Sequence, residues 1–372
     1  MTSATSQASN PDERMGEIGF YTLAGAPKSP RDLIDEVREG ERLGVGSVFI
    51  SERFNVKEAA TLSGAAGAVS EEIGIATAAT NHNTRHPMVT AAYAMTMHRL
   101  TAGRFSLGLG RGIGPVFDAY GLPRITTAQI EDFVALMRRI WRGETVVGHD
   151  GPAGRFPYLS LGPEYHEHIP MTFTAFGPNS LALGGRAFDA VVLHTFFTDE
   201  TTARCVQAVR RAAEAAGRDP RSVRVWSCFA TIGDHLPSPL RLKKLVGRMA
   251  TYLQAYGDLM VETNRWDPAV LARFRADDFV RTFRGAIDGL ATTEQLEHVA
   301  TLIPEGWLEA AATGDAAACV RKIQAQFDLG CDGVILHGAT PGELAPILSE
   351  YRLRREAGRF ERLPADPGGA LL

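Results

Sequence analysis

Phe105-Ser106-Leu107-Gly108-Leu109-Gly110-Arg111-Gly112-Ile113-Gly114-Pro115 joins an apolar run too short for a helix to a glycine-rich ending that no buried strand requires. The same pairing recurs along the chain. Eight such β-like runs, at residues 18–23, 47–51, 73–80, 105–110, 171–176, 190–195, 223–232 and 333–337, are rich in Val, Ile, Phe, Leu or Thr and alternate with helical patterns. Strands alternating with helices predict βαβ units and a parallel sheet. Eight units in more than about 250 residues match a closed α/β barrel of the (β/α)8, TIM-like kind.

No linker divides the 372 residues, and barrels of this kind run long as single domains. The predicted organisation is a disordered tail at 1–14, one barrel domain at 15–356 and a second tail at 357–372, both tails being polar or rich in Pro and Gly. A hydrophobic content of 45%, a charged content of 22% and a net charge of −4 describe an ordinary soluble chain and call for neither nucleic acid nor an anionic membrane. No secretory core and no run of about 18 apolar residues is present, which predicts a cytoplasmic protein. Cys205, Cys228, Cys319 and Cys331 stand in no zinc or redox spacing and are predicted to be reduced structural thiols.

The first helix is predicted from Ser29-Pro30 through Glu41, with Gly44 ending the turn before strand two. Thr126-Thr127 opens another, in which Ile130, Phe133, Val134, Met137 and Trp141 form a stripe for packing on the barrel. Residues 233–310 break the alternation with helical pattern alone, between strands seven and eight. That is too long for an ordinary connection. Because such barrels build their sites at the C-terminal ends of the strands, an insertion there is predicted to cap the mouth. Its Tyr252, Tyr256, Trp266, Phe279, Phe283 and Trp307 then either line an organic substrate pocket or pack the insertion on itself.

Several strand endings carry chemistry. In the glycine run, Gly110, Arg111 and Gly112 let backbone approach a ligand closely and offer a cation to an anion or ring carbonyl, although a plain tight turn reads the same way. The run lacks the third glycine of a dinucleotide fingerprint, and no Walker lysine exists. Phe176-Gly177-Pro178-Asn179-Ser180 opens a helix whose free N–H groups would face the mouth and suit a phosphate. Strand three runs out through Ala78, Ala79, Thr80, Asn81 and His82 to Arg85, His86 and Pro87, an unusual density of hydrogen-bonding groups. Strand two ends at Glu52 and Arg53, strand six at His194 and Thr195, strand eight at His337. No metal site and no covalent hydrolase is predicted.

The succession ISERFN, ATNHNTRHP, GRFSLGLGRGIGP and AFGPNSLALGGRAFDAVVL resembles the bacterial luciferase-like flavin and deazaflavin oxidoreductases, most nearly the coenzyme F420-dependent branch. The resemblance runs from about residue 16 to 351 and fades in the insertion. It implies a flavin or deazaflavin ring at the barrel mouth, backed near Ala78, Ala79 and Thr80 by a bulge with a non-prolyl cis peptide. Asn81, Gly110–Gly112, Phe176–Ser180, His194 and Thr195 are then the expected cofactor-binding residues, with Arg53 and His82 the expected catalytic ones. Two departures stand out: Arg53 occupies the place of a histidine in the sugar-phosphate dehydrogenase branch, and Ile113 that of a glutamate, so glucose 6-phosphate is not the expected substrate. The resemblance implies an F420-dependent oxidoreductase passing hydride between the deazaflavin and an apolar small-molecule substrate, and a homodimer. An FMN-dependent monooxygenase and a non-catalytic cofactor-binding protein are the alternatives.

Overall fold

A computed structural model describes residues 14–25, 27–112 and 114–369. Most of the predicted N-terminal tail, and Ile113, lie outside the described residues. The eight runs all form strands: β1 (Met15–Tyr21), β2 (Val45–Ile50), β3 (Gly74–Thr77), β4 (Phe105–Leu109), β5 (Met171–Ala175), β6 (Ala190–Leu193), β7 (Arg224–Gly233) and β8 (Gly333–His337). Each pairs in parallel with the next, and β8 returns to β1 with Val334 opposite Ile18, so the sheet closes into a barrel. Burial on both faces explains why these strands read as continuous apolar runs instead of alternating ones.

Phe49, Ala76, Val192, Trp226 and Ile335 fill the barrel interior. Outside it, helix Thr127–Trp141 begins with a capping box between Thr126 and Gln129 and buries Ile130, Phe133, Val134, Met137 and Trp141. The predicted stripe is therefore its packing face, each such side chain contributing about 1.5–3 kcal/mol. The first helix is Asp32–Arg42, and Gly44 takes the left-handed φ of 72° that returns the chain to β2.

Two features depart from the sequence reading. An antiparallel hairpin, Val146–Gly151 with Gly154–Leu159, precedes β5. The C-terminal segment, read as a loose tail, instead closes the barrel floor as far as it is described. Trp226 Nε1 donates to Pro367 O at 2.7 Å, Ser106 Oγ to Asp366 Oδ1 at 3.0 Å, and Arg14 to Ala365 O at 2.8 Å. Trp226 and Ser106 are buried donors that need acceptors, and the tail supplies them.

The insertion after β7 is helical, its main helix Arg248–Asn264 broken at Tyr256 by a φ of −136°. It has its own apolar core, in which Leu253, Met260, Leu271, Phe274 and Ile287 pack against Phe196, Ala230 and Ile232 at the ends of β6 and β7. A short strand, Ala312–Gly314, returns the chain along β7. No helix among the described residues is long and apolar enough to cross a membrane.

Candidate active site

The mouth is organised by the way β3 leaves the sheet. After Thr77 the chain bulges, with a non-prolyl cis bond between Ala78 and Ala79. Both flanking strands hold the bulge: Ala78 N–H donates to Ile50 O (2.8 Å), Glu52 N–H to Ala79 O (3.2 Å), Thr80 N–H to Gly108 O (3.0 Å) and Gly110 N–H to Thr80 O (2.9 Å). A Cβ on Gly108 would lie 1.6 Å from Thr77 O, and one on Gly110 would lie 2.9 Å from Ala79 Cβ. These two glycines are thus required by the bulge leaning on β4. Gly112 has a φ of 68° and serves the turn itself.

A carboxylate locks the bulge from the β2 side. Glu52, its side chain only 6% exposed, accepts from Thr80 Oγ1 at 2.5 Å and from Arg85 Nη2 at 2.5 Å. Arg85 also donates to Thr80 Oγ1 (2.8 Å) and pairs with Glu58, the N-cap of helix Ala59–Ala68. Sequence reasoning noted Glu52 and Arg85 separately, but not their pairing across 33 residues. His86 caps helix Pro87–Leu100, which starts directly after it.

Arg111 joins the two predicted motifs. Its Nε donates to Ser180 Oγ (3.1 Å), Nη1 to Ile125 O (3.1 Å) and Nη2 to Thr127 Oγ1 (2.5 Å). Much of its hydrogen-bonding capacity is therefore committed to the protein, and it seats helix Pro178–Ala187 beside the glycine run. That helix starts from Gly177 with no side-chain cap, while Pro178 and Asn179 are exposed. Its first N–H groups and dipole face a place where an anion is favoured. The Asn81 side-chain oxygen, buried beside the bulge, has no partner.

Across the mouth stands an aromatic wall. Phe176 lies 4.2 Å from His194, whose ring is 5.0 Å from Tyr252 and 5.6 Å from Tyr256. His194 Nδ1 is 3.0 Å from the carbonyl of Thr195, itself buried, and loss of hydration pushes its pKa down to about 4. Tyr252 Oη and His337 Nε2 are hydrogen-bonded at 3.3 Å, while His337 Nδ1 is buried without a partner among the described residues. Burial, then neighbouring Arg248, holds the His337 pKa far below that of an ordinary histidine, and burial raises that of Tyr252, so the pair is neutral imidazole and phenol. Tyr252 and Tyr256 of the insertion therefore reach the mouth. Trp266 and Trp307 instead stack on each other at 4.3 Å, and Phe279 packs on Phe283 at 5.0 Å.

The remaining candidates divide. Arg53 is exposed at the rim, and its Nη1 donates to Glu52 O at 3.0 Å. It stands in the loop after β2 at the C-terminal end of the barrel, and its charge lowers the pKa of Tyr21, Tyr252, Tyr256 and His337. His82 stands apart from the aromatic wall, buried 5.3 Å from Phe133, with desolvation pushing its pKa to about 4.

This constellation is a barrel mouth with a small-residue bulge, an uncapped helix start and an aromatic wall, suited to a planar ring bearing an anionic tail. A family profile described as luciferase-like monooxygenase matches residues 15–333, and the chain belongs to that family. It is an oxidoreductase of the luciferase-like superfamily. Over 263 residues it is 26% identical to 5,10-methylenetetrahydromethanopterin reductase of Methanolobus tindarius, covering 69% of this chain and 78% of that one. It is 30% identical over 217 residues to phthiodiolone/phenolphthiodiolone dimycocerosates ketoreductase of Mycobacterium tuberculosis (strain CDC 1551 / Oshkosh), covering 55% of this chain and about half of that one, 54%. The coenzyme F420 dependent tetrahydromethanopterin reductase of Methanopyrus kandleri superposes with a TM-score of 0.74 at 19% identity, over 89% of this chain and 96% of that one. The FMN complex of the oxygenating constituent of 3,6-diketocamphane monooxygenase from Pseudomonas putida gives 0.60 at 18% identity, over 92% and 97%. Both show the shared barrel.

Proposed function

We propose that the protein is a coenzyme F420-dependent oxidoreductase that passes hydride between the deazaflavin and an organic small molecule beneath the insertion. The observation that carries this reading is the uncapped start of helix Pro178–Ala187, tied to the glycine run by Arg111 and Ser180 beside the bulge. The bulge at Ala78, Ala79 and Thr80 would back the ring. The unpartnered Asn81 oxygen would accept a ring N–H, and the backbone of Asn179 and Ser180 with the Ser180 hydroxyl would take phosphate. When bound, such a cofactor supplies the hydride chemistry. The chain's own contribution is to orient the ring, to exclude water with Phe176, Tyr252 and Tyr256, and to keep His194 and His337 uncharged beside it. The relative aligned over 78% of its length is named a reductase, which supports hydride transfer over oxygenation.

Quenching of intrinsic fluorescence by each cofactor tests the reading. F420 is expected to bind more tightly; equal or tighter binding of FMN would move the protein to the flavin monooxygenases. Replacing Ser180 by Ala should weaken binding of either cofactor through its phosphate.

A further inference from the structure

After β2 the chain turns back at residues 53–57, closed by an antiparallel bridge between Arg53 and Lys57. Phe54 and Val56 within this loop are 42% and 48% exposed, yet Lys57 is only 7% exposed. Its stem is covered while Nζ itself stays open to solvent, which is how an ammonium without an ion-pair partner is tolerated. Among the described residues, none accepts a hydrogen bond from its Nζ or forms an ion pair with it. Lys244, by contrast, pairs with Glu343 at 3.0 Å and donates to Gly338 O at 2.7 Å.

The groups facing Lys57 come from four elements. Arg53 shares its loop, and Arg248 of the insertion is paired with Asp288 at 3.0 Å. Glu36 of the first helix is held by Thr22 Oγ1 and Leu23 N–H, each at 2.7 Å. His337 ends β8. Lys57 follows β2 at the C-terminal end of the barrel, and its charge is felt by His337 at the end of β8. Loss of hydration, then the charges of Arg53 and Arg248, pushes its pKa down to about 8.

Comparing the proton donors around the mouth narrows the choice. Arg53 does not release a proton in the working range. Glu52 is tied to Arg85, and His194 and His337 are uncharged at neutral pH. Tyr252 is hydrogen-bonded to His337, and burial raises its pKa. Lys57 is the cation here that combines a releasable proton with no acceptor among the described residues.

The geometry points to Lys57 as the catalytic acid of a carbonyl reduction, with a ketone or aldehyde as the substrate class; the assignment rests on the deazaflavin reading above. Hydride from the reduced deazaflavin forms the new C–H bond at the carbonyl carbon. The C=O π pair moves to oxygen, and the Lys57 ammonium gives that oxygen its proton. Carbonyl becomes alcohol, the deazaflavin is oxidised, and the neutral amine regains a proton from water. Arg53, at the rim beside it, stabilises the charge that builds on oxygen before the proton arrives. In reverse, neutral Lys57 takes the hydroxyl proton of an alcohol.

The test has two arms. In the cofactor-free protein carrying 13C-labelled lysine, NMR titration of the Lys57 signal, assigned with Lys57→Arg, is expected to give a midpoint near 8; the ordinary lysine value of about 10.4 would overturn the assignment. In the second arm, reduced F420 is supplied with long-chain and aryl methyl ketones. Turnover should fall on the basic side with a midpoint near 8, and Lys57→Met should lower kcat at least about 100-fold with F420 affinity unchanged. Lys57→Cys alkylated with 2-bromoethylamine should restore turnover. A Lys57→Met enzyme with near-normal kcat and an unchanged pH profile would overturn the proposal. If the wild type binds F420 but reduces no carbonyl, the carbonyl assignment falls while the cofactor reading stands; if it fails to bind F420, both fall.

Discussion

Replacing Arg85 by Met would test whether the β3 bulge is held by charge. The Glu52 and Arg85 side chains are 6% and 16% exposed, so solvent screens their pairing weakly. The substitution removes both guanidinium bonds to Glu52 and the bond to Thr80 at 2.8 Å, and it leaves Glu52 with Thr80 as its principal remaining donor. Breaking a buried pair from one side costs about 3–5 kcal/mol, most of it the stranded charge. At about 2.1 cal/mol/K of unfolding entropy per residue, a chain of this length loses roughly 4–6 °C of Tm for that cost. Calorimetry on Arg85→Met, Glu52→Gln and the double variant gives the cycle. The double variant should be more stable than the sum of the two losses predicts, because removing both charges strands neither. A loss below about 1 kcal/mol for Arg85→Met, or strict additivity, would refute the lock.

Gly108→Ala places a methyl 1.6 Å from Thr77 O, which is backbone and cannot yield, so this variant should express poorly or lose more than about 3 kcal/mol; normal expression and Tm would contradict the close approach of β3 and β4. His82 and His194 have folded pKa values near 4, below the unfolded value of about 6.5, so the unfolded chain takes up protons first as pH falls. Stability from these two groups is therefore complete above about pH 6.5 and is lost down to about 4, at most about 3 kcal/mol for buried His82. His82→Phe should lose less Tm across that interval, and an identical slope in scanning calorimetry would reject this. Arg53→Ala should cut turnover strongly while F420 affinity and Tm stay nearly constant, since among the described residues its side chain bonds only to the neighbouring Glu52 carbonyl and its backbone bond to Lys57 survives; normal turnover, or unfolding, would make Arg53 structural.

The eight strands were legible because burial on both faces writes a local signal into five or so consecutive residues. The stripe at Ile130, Phe133, Val134, Met137 and Trp141 was legible for the same reason: its period is local. The floor of the barrel was not, because Pro364, Pro367, Gly368 and Gly369 have the composition of a tail and nothing nearby shows their partners. Those partners are Ser106, Arg224 and Trp226, more than 140 positions away. The glycine run was legible as special but not as to cause. Gly108 and Gly110 yield to the bulge and Gly112 to its own φ, so their smallness is explained before any ligand is considered. Lys57 was passed over because one lysine in a polar loop normally marks a solvated surface; only the outward turn of Phe54 and Val56 reveals that it is buried.

The two sides of the mouth differ in how they offer positive charge. Over β4 and β5 it comes from a helix start and its N–H groups, seated by an Arg111 already bonded to Ser180, Ile125 and Thr127. After β2 it comes from Arg53 and Lys57, ionised side chains that form no ion pair among the described residues. Fixed dipoles suit a permanent anion held through turnover, whereas side chains able to move or release a proton suit an oxygen whose charge appears and disappears. Between them, Phe176, His194, Tyr252 and Tyr256 form a wall that carries no charge at neutral pH.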